Sequence, residues 1–94
     1  MKIVDGFILR QIIDEWVVVP VGKEIYGVGG SGMLSLSESS ALMWEQLEQG
    51  TSKIALVDLL CHHYEVDRNT AESDVNDFLQ ILDTKQLLIS DGEV

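Results

Sequence analysis

The sequence predicts an α+β domain in which three strands come first and three helices follow. Three observations carry that reading. Two apolar runs rich in β-branched and aromatic residues stand close together near the start. Five of the eight glycines crowd between Gly22 and Gly32. From Ser37 onward, the spacing of apolar residues lengthens from two to nearly four.

The two runs, residues 7–13 and 16–21, are separated by the polar Asp14-Glu15 and predict a β-hairpin. Pro20 has no N–H for a ladder, which places it at the end of its strand or at an unpaired position. The glycine-rich stretch predicts a loop leading into a third strand, Met33-Leu34-Ser35-Leu36, with Leu34 and Leu36 on one face. Ser37 is suited to cap a first helix with Ala41, Trp44 and Leu47 on its apolar side, and Gly50 follows as a stop. Thr51 or Ser52 then caps a second helix, with Ile54, Val57, Cys61 and Tyr64 along one side. Asp67 or Asn69 opens a third, running to about Gln86, and Leu87-Leu88-Ile89 predicts a short closing strand or extended tail.

Composition bounds the function. Ninety-four residues with no internal repeat or linker predict one domain spanning 1–94. No apolar run approaches the ~20 residues needed to cross a bilayer. The first six residues carry one positive charge, an early acid and no apolar core, so no secretion signal is expected. The lone Cys61 cannot form an internal disulfide, which fits a cytoplasmic home and no membrane partner. The formal net charge is −10, and residues 37–94 hold twelve acids against three bases. An acidic helical half disfavours nucleic acid and favours basic or apolar partners.

The candidate chemistry is sparse. Gly27-Val28-Gly29-Gly30-Ser31-Gly32 lacks the Lys-Ser/Thr and the following helix of a phosphate loop. Cys61-His62-His63 puts three potential ligands on consecutive helical positions, splayed by ~100° each, so they do not converge on one metal ion. No nucleophile, base and orienting group fall together, so neither catalysis nor a cofactor is expected.

The third helix is more informative. Ala71, Val75, Phe78 and Leu82 share one face, with Leu79 on one flank and Ile81 on the other. Asp74 and Lys85 fall between Phe78 and Ile81, so that flank mixes apolar and charged groups; a core helix with a tolerant margin reads the same way. A hairpin with one added strand also leaves an open sheet edge, which an extended peptide can join as a further strand. The candidate peptide-binding residues are therefore Met33, Leu34, Ser35 and Leu36 on the strand, with Asp74, Phe78, Ile81 and Lys85 on the helix.

The ordered series of fragments resembles the coenzyme PQQ synthesis protein D family, the small peptide chaperones also called RiPP recognition elements. The fragments are Gly6-Phe7-Ile8-Leu9-Arg10, Val17-Val18-Val19-Pro20-Val21-Gly22, Leu36-Ser37-Glu38-Ser39-Ser40-Ala41 and Trp44-Glu45-Gln46-Leu47. Leu60 to Tyr64, Val66-Asp67, Asp74-Val75, Phe78-Leu79, Leu82 and Leu87-Leu88 follow. The family usually has Asn where this chain has Ser37, and Thr-Gly where it has Ser39-Ser40; Ser37 preserves the capping chemistry. The resemblance implies a winged helix-turn-helix-like domain, a three-stranded antiparallel sheet packed on three α-helices. It implies further that the leader segment of a ribosomally made precursor binds between the third strand and third helix. The precursor then passes to a modifying enzyme, often of the radical S-adenosylmethionine type.

A winged-helix DNA-binding regulator shares this architecture, as does an adaptor subunit that uses another surface. A DNA reader, however, places Lys and Arg on its recognition helix, whereas residues 68–86 hold four acids and two bases. In a mobility-shift titration at low salt, no saturable binding to duplex DNA is expected at micromolar protein. A saturable shift in that range would overturn the charge argument.

Overall fold

The computed structural model describes residues 1–20 and 34–89. Its elements in chain order are β1 (Lys2–Ile3), β2 (Phe7–Ile12), β3 (Glu15–Pro20), β4 (Leu34–Leu36), α1 (Glu38–Gln49), α2 (Lys53–Tyr64), α3 (Arg68–Thr84) and β5 (Leu88–Ile89). The expected α+β architecture is present. β2, β3 and β4 form an antiparallel sheet in that order, and three helices follow.

The hairpin differs from the sequence reading by one residue at its turn. Ile12 pairs with Glu15, so Ile13 and Asp14 make the connection. Ile13 there adopts φ 58°, a left-handed conformation that costs a β-branched residue more than a glycine, and its side chain is 89% exposed. Pro20 is the last residue of β3, opposite Phe7, as its missing N–H requires. Val21, the glycine-rich segment and Met33 lie outside the described residues. Of the closing strand, Leu88 and Ile89 pair with Ile3 and Lys2. The sequence offered no sign of β1, because two residues carry no periodicity.

Each helix begins on a side-chain cap. The Ser40 N–H donates to Ser37 Oγ at 3.2 Å, the Ala55 N–H to Ser52 Oγ at 3.1 Å and the Thr70 N–H to Asp67 Oδ1 at 2.8 Å. α1 ends at Gly50, whose φ of 94° is open to glycine at little cost.

α1 is the central helix. It touches β1, β2, β4 and α2, while α3 packs on α2 and β5. Met43, Trp44 and Leu47 of α1 are buried with Leu56, Val57 and Leu60 of α2 and with Ala71, Val75, Phe78 and Leu82 of α3. The buried face of α2 corrects the sequence reading. Ile54 is 67% exposed and Cys61 and Tyr64 are half-buried, because the buried arc centres between Val57 and Leu60, ~100° round the helix from Ile54.

The α3 cap carries a pH signature. The hydroxyl of Thr70, and then its backbone N–H, hold the Asp67 carboxyl below the usual aspartate range. A depressed folded-state value contributes stability that is present above the unfolded value of about 3.9 and lost as pH falls through the folded one. Urea melts of wild type and Asp67→Asn should therefore differ most near neutral pH and converge as pH falls below about 4. A constant difference across that range would show that the charge of the cap is irrelevant.

Candidate functional site

β4 pairs on one side with β3, through Trp16 with Leu36, Val17 with Ser35 and Val18 with Leu34. Among the described residues its other edge has no strand partner. Leu34 and Leu36 turn toward the core and Ser35 is exposed, the alternation the sequence predicts. Ser37, immediately after β4, caps α1, so the first turn of that helix is fixed beside the end of the strand.

Across from that turn stands α3. A groove of about 240 Å³ lies between them, lined by Ser37, Ser39, Ser40 and Met43 on one side and by Asp74, Asp77, Phe78 and Ile81 on the other. Three of the four α3 residues predicted from sequence thus share one cavity. Their roles differ. Phe78 is 4% exposed and belongs chiefly to the core, whereas Ile81 is 46% exposed and offers its side chain to the groove. Asp74 is exposed. Lys85 is half-buried at the C-cap of α3, one turn beyond Ile81, and is not among the lining residues.

Sequence reasoning missed Asp77, Met43 and the serines. The available signal was the run Ser39-Ser40 after the Ser37 cap. It puts small uncharged residues on the first turn of a helix, where bulkier ones would narrow the space to α3. Ser37 Oγ bonds to the hydroxyls of Ser39 and Ser40 at 3.2 and 3.0 Å, so these side chains satisfy one another.

A second cavity of about 370 Å³ adjoins the first and shares Ser37, Ser39 and Asp74 with it. Its remaining walls are Glu38, Leu60, Tyr64 and Val66. The Tyr64 hydroxyl oxygen is closed to solvent and has no hydrogen-bond partner among the described residues. Burial, and secondarily the Glu38 carboxylate, hold it above the usual tyrosine range, so it stays protonated at neutral pH. The ring itself packs edge-on against His63, with centroids 4.7 Å apart.

The acids of α3 face solvent, while its Arg68 is engaged with Asp58 at 2.8 Å. The side chains of Asp74 and Asp77 make no hydrogen bond or ion pair among the described residues. Cys61 is half-buried and His62 and His63 are exposed on successive positions of α2. Among the described residues no three His, Cys, Asp or Glu side chains gather at one point.

The family model of coenzyme PQQ synthesis protein D matches residues 15–88. Among solved structures, TbiB1 in complex with the TbiA(beta) leader peptide is 34% identical. The match covers 100% of this chain and 99% of that one, with a TM-score of 0.72. A lasso peptide synthetase B1 complexed with the leader peptide superposes at a TM-score of 0.69 over 92% of this chain and 93% of that one. At 23% identity this second likeness bears on the fold. No curated protein matches the chain.

A hydroxyl that is shut away without a partner loses its bonds to water and gains none. Tyr64→Phe should therefore raise the unfolding free energy by about 0.5–1 kcal/mol in chemical denaturation. A loss of stability would mean that the hydroxyl is satisfied within the fold.

Proposed function

Because the chain belongs to the coenzyme PQQ synthesis protein D family, we propose that it binds the leader segment of a ribosomally synthesised precursor peptide and presents it to a modifying enzyme. The observation that carries this reading is the closeness of a β4 edge, without a strand partner among the described residues, to a partly apolar groove that begins at Ser37, the residue after β4, and is walled by α3. It is supported by a relative, 34% identical over the whole chain, that is described in complex with a leader peptide.

The peptide adds as a strand beside Leu34, Ser35 and Leu36; Met33, the fourth residue of the candidate set, lies outside the described residues. Main-chain bonds there tolerate many sequences. Selection falls to the side chains that reach Ile81 and the exposed margin of Phe78, with Asp74 at one end of that wall and Lys85 beyond the other. This is the work of a binding protein: it positions a substrate, and the chemistry belongs to the partner. In this reading the partner is an enzyme of the radical S-adenosylmethionine type, which the family resemblance suggests, and the setting is the cytoplasm, in keeping with the lone Cys61. No helix among the described residues is long and apolar enough to cross a membrane.

The charge of α3 counts against the DNA-reading alternative. Its exposed surface carries Glu72, Asp74, Asp77 and Asp83, and its one base, Arg68, is already paired with Asp58. Duplex phosphates would meet a surface of their own sign.

Ile81 provides the test. Being 46% exposed, it can become Glu without burying a charge in the core, so circular dichroism of Ile81→Glu should match wild type. Calorimetric titration with the cognate leader should show a loss of about 1–3 kcal/mol, from a lost apolar contact and an added like charge beside Asp77. Unchanged affinity in a folded variant would place the peptide elsewhere.

A further inference from the structure

The turn that joins β2 to β3 is built against the needs of a protein standing alone. Ile13 holds the first of its two positions with φ 58°, and Asp14, the second, is not among the residues of positive φ. In two-residue hairpin turns a positive φ at the first position alone is the place of a glycine. A β-branched residue there is a steric outlier, and strain of that kind persists where function keeps it.

Packing does not repay the strain. The Ile13 side chain is 89% exposed and that of Ile12 beside it 49%. Phe7 and Leu9, on the other face of β2, pack against the core, so Ile12 is turned away from the helices, and neither isoleucine joins the core. Asp14 and Glu15 complete the tip; both are exposed, and their side chains make no hydrogen bond or ion pair among the described residues. The hairpin thus ends in an apolar knob with two unanswered carboxylates beside it.

Its place in the fold connects it to the groove. Trp16 pairs with both Gln11 and Leu36, so the tip stands at the Leu36 end of β4, the end at which Ser37 opens the groove against α3. A strand added to β4 lies about two to three strand spacings of ~4.8 Å from the hairpin turn, and a peptide leaving that strand at this end emerges beside the tip. An enzyme that takes up the emerging segment comes within reach of Ile12 and Ile13.

We propose that the β2–β3 tip is the docking point for the modifying enzyme, with Ile13 as its anchor. The fitting surface on the enzyme is a concave apolar pocket with a basic rim, the pocket receiving Ile13 and Ile12 and the rim meeting Asp14 and Glu15. A bulky side chain on a short turn loses little freedom when it enters such a pocket. The proposal rests on the peptide-binding reading above and deepens it: leader and enzyme are held by separate surfaces at one end of the sheet.

The probes are the purified modifying enzyme encoded beside this chain and, separately, the leader of the precursor encoded there. Full-length wild type, Ile13→Gly and Ile13→Asn are titrated with each, since both replacements accept a left-handed φ and remove the apolar knob. Each variant should melt about 4 °C above wild type. Each should bind the leader within about twofold of wild type and the leader-free enzyme about tenfold more weakly. Stability and enzyme affinity moving in opposite directions is a result that a merely structural isoleucine does not give. Unchanged enzyme affinity in both variants, or no binding of wild type to the enzyme, would overturn the docking point and leave the leader groove standing. Variants that melt below wild type would show Ile13 to be held by the fold, which overturns the premise of strain. Failure of wild type to bind the leader would remove the peptide-binding reading itself, and the proposal with it.

Discussion

The indole of Trp44 is fully enclosed, and a ring of that size can stay enclosed only if its N–H finds an acceptor. Glu48, one helical turn on, supplies one: Nε1 donates to its carboxylate at 2.9 Å. That local bond keeps the polar corner of the side chain satisfied while its surface joins the core with Leu56, Val75 and Leu82. Since α1 also touches β1, β2, β4 and α2, fixing its rotation about its own axis fixes where each of them can pack. The Ser37 cap then fixes where along its axis the helix begins, directly after the last residue of β4. The groove exists because these two constraints leave the first turn of α1 facing α3 across a gap, with serines and not larger side chains on that turn.

The helix that forms the other wall divides its labour by face. Ala71, Val75, Phe78 and Leu82 repeat at three- and four-residue intervals and are buried, which holds α3 against α2. One step round the helix, Asp74, Asp77 and Ile81 are exposed and contribute little to that packing. Substitution on this flank is therefore cheap for folding. A family built on the same core can alter what it selects without altering how it stands.

How much of this was legible in the sequence depended on the range of the interaction. The caps at Ser37, Ser52 and Asp67 act over three residues, and each was marked by its own side chain. The buried stripe of α3 repeats often enough for periodicity to locate it. By contrast, α2 has mostly apolar residues around much of its circumference, so spacing alone put Ile54 inside when the packing of α1 and α3 leaves it out. The hairpin turn was misplaced because Asp14-Glu15 carries the polar signal while the register sets Ile12 opposite Glu15. At the site, Asp74, Phe78 and Ile81 were visible as one flank of a helix. Met43 and the cavity around Leu60, Tyr64 and Val66 were not, since they come together only when α1, α2 and the turn into α3 meet.

Pairing along β4 has a consequence for affinity. Each main-chain hydrogen bond that an added strand makes there contributes about 0.5–1.5 kcal/mol net. Micromolar binding requires about 8 kcal/mol after the cost of association has been met, so the bonds offered by Leu34, Ser35 and Leu36 stop well short of it. Copies of the chain share its net charge of −10 and repel one another, which works against edge-to-edge stacking. Backbone pairing at these residues thus sets direction and register, and the remaining selectivity falls to the side chains that the groove against α3 receives.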